Sequence, residues 1–228
     1  MHHMAERVED AADGAWSPAG VTVGILGGTG ALGRGLAHRL APVVGKVLIG
    51  SRDVDRARAV AVTVGASVDG VSNDDACAAD FVVVAVPWMA HDTLLADVAT
   101  LLQDRVVIDA VNPLGFDESG PFVLPVDAGS ATQRAQELLA SSRVVGAFHH
   151  VAAVTLSSHE PLDMDVLVVG DNRDAVQRVC SLIDAIPGLR GVYAGRLRNA
   201  GQVEALTANL IAINRRYRTQ AGLRVTGL

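Results

Sequence analysis

The feature that most constrains this chain is a short β-branched run that ends in glycines and leads at once into a helical repeat. Val21-Thr22-Val23-Gly24-Ile25-Leu26 has the composition of a strand, and Gly28-x-Gly30-x-x-Gly33 follows it. Leu32, Leu36 and Leu40 then recur at helical spacing until Pro42 stops the pattern. A dinucleotide site demands glycine at these places. The first permits a tight turn, the second lets backbone approach a pyrophosphate, and the third lets helix pack on strand. The helix N-terminus adds unpaired N–H groups and the positive end of its dipole. The spacing alone is a weak signal; between a strand and a helix it marks the first βαβ unit of a Rossmann-type fold.

The following residues keep that alternation. Lys46–Ile49 reads as a strand and Val54–Val64 as a helix. Phe81–Val86 is an unbroken apolar run, the mark of a central parallel strand buried on both faces. Ala90–Leu102 reads as a helix and Val106–Ile108 as a strand. Ser130-Ala131-Thr132-Gln133 resembles a capping box that opens a helix through Leu139, and Val144–Phe148 reads as a strand. The alternation predicts an α/β fold, a doubly wound parallel sheet covered by helices. Asn112–Ala128 interrupts it as a long loop rich in Pro and Gly, a candidate for function. Beyond it come a strand at Val166–Val169, a helix at Asp174–Ile186, a turn at Pro187-Gly188, a strand near Val192-Tyr193 and a long helix from Asn199 to Arg216. The expected division is a flexible tail over 1–20, a dinucleotide-binding domain over 21–154 and a smaller C-terminal α/β domain over 155–228.

Composition limits the function classes. Half of the residues are hydrophobic and 19% are charged, which suffices for a substantial core. No apolar run approaches the roughly 20 residues that span a bilayer, and the first residues lack an export pattern, so the expectation is a cytoplasmic protein with no membrane partner. Cys77 and Cys180 form no metal-ligand spacing, and no metal is expected. The net charge of −6 is uneven: from Leu189 onward seven arginines face Glu204 alone, so that segment carries +6 and the remainder −12. No interleaving of basic and aromatic residues accompanies the arginines, and nucleic acid is not expected as a partner.

The end of the second strand separates NAD from NADP. An NAD enzyme carries an acidic residue there for the ribose hydroxyls. This chain has Gly50-Ser51-Arg52, with Arg56 one turn further on. Guanidinium groups fork onto phosphate oxygens and a serine hydroxyl adds a hydrogen bond, so Ser51, Arg52 and Arg56 read as a 2′-phosphate site for NADP(H). Ligands of doubly wound sheets sit beyond the carboxyl ends of the strands. Val86-Pro87-Trp88, Asn112-Pro113-Leu114 and His149-His150 all fall at such ends.

The reaction is narrowed by what is missing. Carbonyl reduction needs a positioned proton donor beside the nicotinamide. Neither Tyr193 nor Tyr217 has a lysine four residues later, and Lys46 is the only lysine in the chain. A hydride transfer that needs no side-chain acid fits better, and a second redox cofactor as substrate meets that description. The chain resembles the NADPH-dependent F420 reductases, or F420:NADP oxidoreductases, over roughly residues 21–228. The resemblance rests on Leu26-Gly27-Gly28-Thr29-Gly30, Gly50-Ser51-Arg52, Val86-Pro87-Trp88, Asn112-Pro113-Leu114, Ala147-Phe148-His149-His150, Asp165–Gly170, Ala194-Gly195-Arg196-Leu197-Arg198-Asn199 and Val203-Glu204-Ala205-Leu206-Thr207. Met89-Ala90 and Ala200-Gly201-Gln202 depart from the commoner family pattern.

The resemblance implies reversible hydride transfer between the nicotinamide C4 of NADP(H) and the deazaflavin C5 of coenzyme F420. It implies that Gly28, Thr29, Gly30, Ala31, Leu32, Ser51, Arg52 and Arg56 bind NADP. Val86, Trp88, Ala90, Asn112 and Ala153 would line the nicotinamide half. His149, Pro113, Leu114 and Thr207 would face the deazaflavin, with His149 positioning rather than catalysing. It also implies a homodimer with contacts from the C-terminal segment, and it offers the basic C-terminal segment as an attractor for the anionic tail of F420. The readings left open beside it are another NADPH-dependent reductase on the same fold and a non-catalytic NADP(H) sensor.

Overall fold

The computed structural model describes residues 16–158 and 160–228. Most of the expected N-terminal tail lies outside them. Its last residues are ordered: Trp16 meets Phe81 edge-on at 5.7 Å between ring centroids, and Pro18–Gly20 forms a turn capped by Ser17.

The chain then runs β1 (Thr22–Leu26), α1 (Ala31–Leu40), β2 (Lys46–Ser51), α2 (Val54–Val64), β3 (Val68–Ser72), α3 (Asn73–Ala76) and β4 (Phe81–Val84). It continues with α4 (Trp88–Val98), β5 (Val106–Asp109), a hairpin of β6 (Leu114–Asp117) and β7 (Gly120–Val123), α5 (Ala131–Leu138) and β8 (Arg143–Gly146). The last elements are α6 (Ala153–Ser157), β9 (Met164–Gly170), α7 (Arg173–Asp184), β10 (Leu189–Gly195) and α8 (Ala200–Tyr217). Side-chain caps start the helices where the sequence offers them. Asp53 accepts from the N–H of Arg56, Ser130 from Gln133 and Asn172 from Ala175.

One eight-stranded sheet organises these elements, in the order β10-β9-β8-β5-β4-β1-β2-β3. The run from β3 to β8 is parallel throughout, in the order of a dinucleotide-binding sheet with its reversal between β1 and β4. β9 joins β8 antiparallel, and β10 joins β9 parallel through the α7 crossover. The C-terminal segment expected as a smaller domain therefore builds no sheet of its own; it extends the first one.

Side-chain alternation assigns the two faces. Val23, Ile25, Phe81 and Val83 pack with Leu36, Leu156 and Val179, from α1, α6 and α7. Leu26, Val82 and Val84 pack with Cys77, Leu95 and Ala135, beside α3, α4 and α5. The apolar run Phe81–Val84 is fully buried on both faces because helices cover both. Burial pushes both thiols up, Cys77 to about 12 and Cys180 to about 11, which keeps them protonated at neutral pH. Among the described residues no helix is long and apolar enough to cross a membrane.

The last residues strap the new edge of the sheet. Asp165 on β9 is completely buried and takes two bonds from Arg190, at 2.8 and 2.7 Å, one from Arg224 at 3.1 Å and the N–H of Val225 at 2.6 Å. Its own N–H donates to the carbonyl of Leu223. The guanidinium of Arg190 holds the Asp165 carboxyl below its usual range. Two arginines of the basic segment are thus spent on structure. Because the folded-state value is lowered, this carboxylate stabilises the protein fully above its ordinary titration range, and the gain is lost as pH falls through the lowered value. Asp165→Asn should lower the unfolding free energy near neutral pH by about 1–3 kcal/mol. In denaturant titrations at a series of pH values, the variant should also show a flatter loss of stability on acidification than the parent protein.

Candidate active site

The glycine loop joins β1 to α1 at the reversal of strand order. The positive φ of 74° falls on Gly27, one residue before the first glycine of the motif, and Gly27 therefore makes the tight turn. The N–H of Gly28 is shared between the carbonyls of Ile25 and Gly50, both at 3.1 Å, which ties the loop to β2. Gly33 is the packing glycine. A Cβ there would lie 2.6 Å from the Cα of Gly28 and 2.9 Å from the carbonyl oxygen of Gly27. Gly30 is exposed, and its chain continues directly into the unpaired N–H groups of α1.

A cleft of about 850 Å³ opens beside this loop. It gathers Thr29 and Gly30 with Ser51, Arg52 and Arg56 from the end of β2, and with Val86 and Ala90 from the turn into α4. Asp53, an acidic residue one place beyond Arg52, also borders the cleft and would suit a ribose hydroxyl. Its side chain instead caps α2, accepting from the N–H of Arg56 at 3.0 Å, while Ser51 accepts from the N–H of Asp53 at 3.1 Å. The end of β2 therefore presents guanidinium groups to the cleft. Asn73, at the end of β3, lines the same wall, and its Oδ1 is buried with no protein partner.

The other expected residues distribute around this cleft. Ala31 and Ala153 line an adjoining recess of about 570 Å³ with Arg34 and Ser157. Leu32 packs against the core, and Gly28 is buried beneath the loop. Trp88 lies on the far side of the α4 turn, in a recess with Pro125 and Arg134.

A second cluster forms at the carboxyl ends of β5 and β8. Asn112 Nδ2 donates to the carbonyl of His149 at 2.7 Å, and the hydroxyl of Thr207, from α8, donates to the same oxygen at 2.9 Å. Pro113 and Leu114 follow Asn112 directly and enter the β6–β7 hairpin, where the N–H of Leu124 donates to the carbonyl of Pro113. Phe148 sits at φ 65°, a left-handed conformation costly for a bulky residue, and this bend at the end of β8 turns both histidines inward. His149 and His150 are 2% and 3% exposed. Burial, then the neighbouring His149, push the pKa of His150 down to about 4. As a neutral ring it accepts the N–H of Leu167 at Nε2.

Sequence reasoning missed the residue that anchors His149. Glu204, 1% exposed on α8, reaches the N-terminus of α5 and accepts the N–H groups of Ala131 at 2.9 Å and Thr132 at 3.0 Å. A carboxylate at that place satisfies two orphan donors and the helix dipole together. It also accepts the hydroxyl of Thr132 at 2.9 Å, and Thr132 Oγ1 stands 3.3 Å from His149 Nε2. Since the hydroxyl proton points to Glu204, the network places a ring hydrogen on His149 Nε2, the nitrogen opposite Nδ1. That Nδ1 and Asn112 Oδ1 are both buried without a protein partner. The signals in the sequence were a lone glutamate among the C-terminal arginines and its place in the family-like run Val203–Thr207. The buried pair of His91 and Asp109, with Nε2 and Oδ2 2.7 Å apart, was likewise not anticipated.

This chain is similar to known proteins. A family model described as NADP oxidoreductase, coenzyme F420-dependent, matches residues 22–113. The F420-dependent NADP reductase of Methanothermobacter thermautotrophicus is 39% identical over 220 residues, covering 90% of this chain and 95% of that protein. Its counterpart from Methanothermobacter marburgensis is 36% identical over 220 residues, with 90% and 98% covered. Among solved structures, a protein of Arthrobacter sp. FB24 superposes with a TM-score of 0.80 at 24% identity, over 91% of this chain and all of that one, which shows the shared fold. Both curated relatives are matched over nine-tenths of this chain and nearly all of their own length, and the chain belongs to the family of F420-dependent NADP reductases.

Proposed function

We propose that the protein catalyses reversible hydride transfer between NADP(H) and the deazaflavin of coenzyme F420. One observation carries this reading above the others: the arginine end of β2 and the His149 cluster lie on the same carboxyl edge of one parallel sheet, on either side of the strand reversal. Two redox partners bound there would have their rings brought together over β4 and β5.

The residues fit both molecules. Ser51, Arg52 and Arg56 form a cationic end for the 2′-phosphate, and the glycine loop offers its helix N-terminus to the pyrophosphate. Val86 and Ala90 continue the cleft toward the nicotinamide. Asn112 Oδ1 and His149 Nδ1, buried and unpaired, would accept N–H groups of the deazaflavin. When bound, NADPH supplies the hydride. The protein's part is alignment: Asn112 and Thr207 fix the backbone of His149, and Glu204 fixes its ring through Thr132. Holding two reacting atoms about 3–3.5 Å apart can remove several kcal/mol of barrier without any acid or base. We assign a homodimer on the same footing. Phe116 on the hairpin and Tyr217 on α8 are 67% and 73% exposed, and these two elements pack on one another.

Mixing the protein with NADPH and oxidised F420 should bleach the long-wavelength deazaflavin band. Intact NADPH binding with no bleaching would overturn the enzyme reading in favour of a sensor. Arg52→Ala should raise the Michaelis constant for NADPH by roughly 10- to 100-fold, the worth of about 1.5–3 kcal/mol for a charged hydrogen bond. The constant for NADH should barely move, and parallel steady-state assays with the two nucleotides check the difference.

A further inference from the structure

His91 and Asp109 take no part in the reading above, yet they lie between its two halves. His91 stands in the first turn of α4 and is completely buried. Its Nε2 is 2.7 Å from Asp109 Oδ2 and its Nδ1 is 3.1 Å from Asp92 Oδ1. Carboxylates only accept, so both ring nitrogens must carry hydrogen. The other oxygen of Asp109 accepts the N–H of Val111 at 2.8 Å. Asp92 is held in turn by Arg134 of α5 at 2.9 Å, and Arg134 also binds Glu137. The ring of Trp88 lies 5.2 Å from that of His91.

These contacts make a continuous line from the turn Pro87–Ala90, at the nicotinamide end of the cleft, to Val111 and Asn112, which reach His149. We propose that His91 is a positioning residue for hydride transfer: held as an imidazolium between Asp109 and Asp92, it locks the α4 turn to the β5–Asn112 segment and so sets the spacing of the two rings. The proposal rests on the two-cofactor reading of the site. Its electrostatics agree with the geometry. Burial alone would lower the pKa of His91, but the hydrogen bonds and charges of Asp109 and Asp92 outweigh it and the value is raised. The charged groups around the ring are Asp109 from β5, Asp92 from α4 itself, and Arg134 and Glu137 from α5 behind Asp92. A raised folded-state value means that the pair is intact below the ordinary histidine range and is lost as pH rises through the raised value.

The test is Asp109→Asn. An asparagine there can still accept from the N–H of Val111 and can donate to a neutral His91, so shape is kept and charge removed. In ligand-free protein, NMR titration of the ring should find His91 protonated beyond the ordinary range, and the variant should titrate lower. Affinity for NADPH should change little, while kcat with F420 falls roughly 10- to 100-fold, the scale of a misplacement near 1 Å. The alkaline limb of the kcat profile should move to lower pH. The fluorescence of bound NADPH, which needs no acceptor, should change because the nicotinamide end has shifted. If Asp109→Asn does not fold, Asp92→Asn, whose side chain is half exposed, should show the same effects in smaller degree. A neutral His91 ring in the parent protein near neutral pH, or wild-type kcat in the folded variants, overturns the proposal. So does a loss confined to NADPH affinity. A parent protein that binds NADPH but never reduces F420 refutes the two-cofactor reading instead, and the titration and the NADPH fluorescence still decide the role of His91.

Discussion

Helix α1 can begin where it does only because residue 33 has no side chain. Its backbone lies against the Gly27–Gly28 turn, closer than any Cβ would permit. That contact aims the unpaired N–H groups of α1 at the carboxyl edge of the sheet and keeps the mouth of the cleft open. The rest of the candidate site is arranged around this edge. β2 delivers Ser51 and Arg52, β4 delivers Val86, β5 delivers Asn112 and β8 delivers His149, because parallel strands all end on the same side. Had the strand after β4 run the other way, Asn112 and the arginines would lie at opposite ends of the sheet.

The C-terminal segment completes the second half of the site by packing against the first. β9 and β10 widen the sheet, and Asp165 with Arg190 and Arg224 straps the end of the chain across them. α8 then reaches back, with Glu204 on the N-terminus of α5 and Thr207 on the carbonyl of His149. One helix therefore supports both the backbone and, through Thr132, the ring of the same histidine. The basic charge of this segment divides accordingly: Arg190 and Arg224 serve the strap, while Arg196, Arg198 and Arg215 remain exposed.

Much of the fold was legible because burial left a periodic trace. The run Phe81–Val84 announces a central strand, and the glycines, Pro42 and Ser130 punctuate the helices. β3 was missed because Val68-Asp69-Gly70-Val71-Ser72 lies at the sheet edge, where one apolar face suffices and the run is not continuous. The β6–β7 hairpin was hidden in a loop by Gly115 and Pro121, and the short α6 by its five-residue length. The boundary at 154 was drawn from the change in pattern, but a strand can join an existing sheet antiparallel without any local signal. In the candidate site, residues at strand ends could be grouped from the sequence since topology alone brings those ends together. Glu204, Thr132, His91 and Asp109 were not, because their partners are 72 residues apart in one case and 18 in the other. Contacts of that kind exist only once the helices are packed.

The account stands on direct transfer between two rings held face to face. The most direct measurement uses NADPH carrying deuterium at the transferred C4 position and follows its fate by mass spectrometry and proton NMR of the reduced F420. The account predicts that one deuterium appears at the deazaflavin C5 and none is released to water. Reduced F420 that carries only solvent hydrogen at C5 would contradict it.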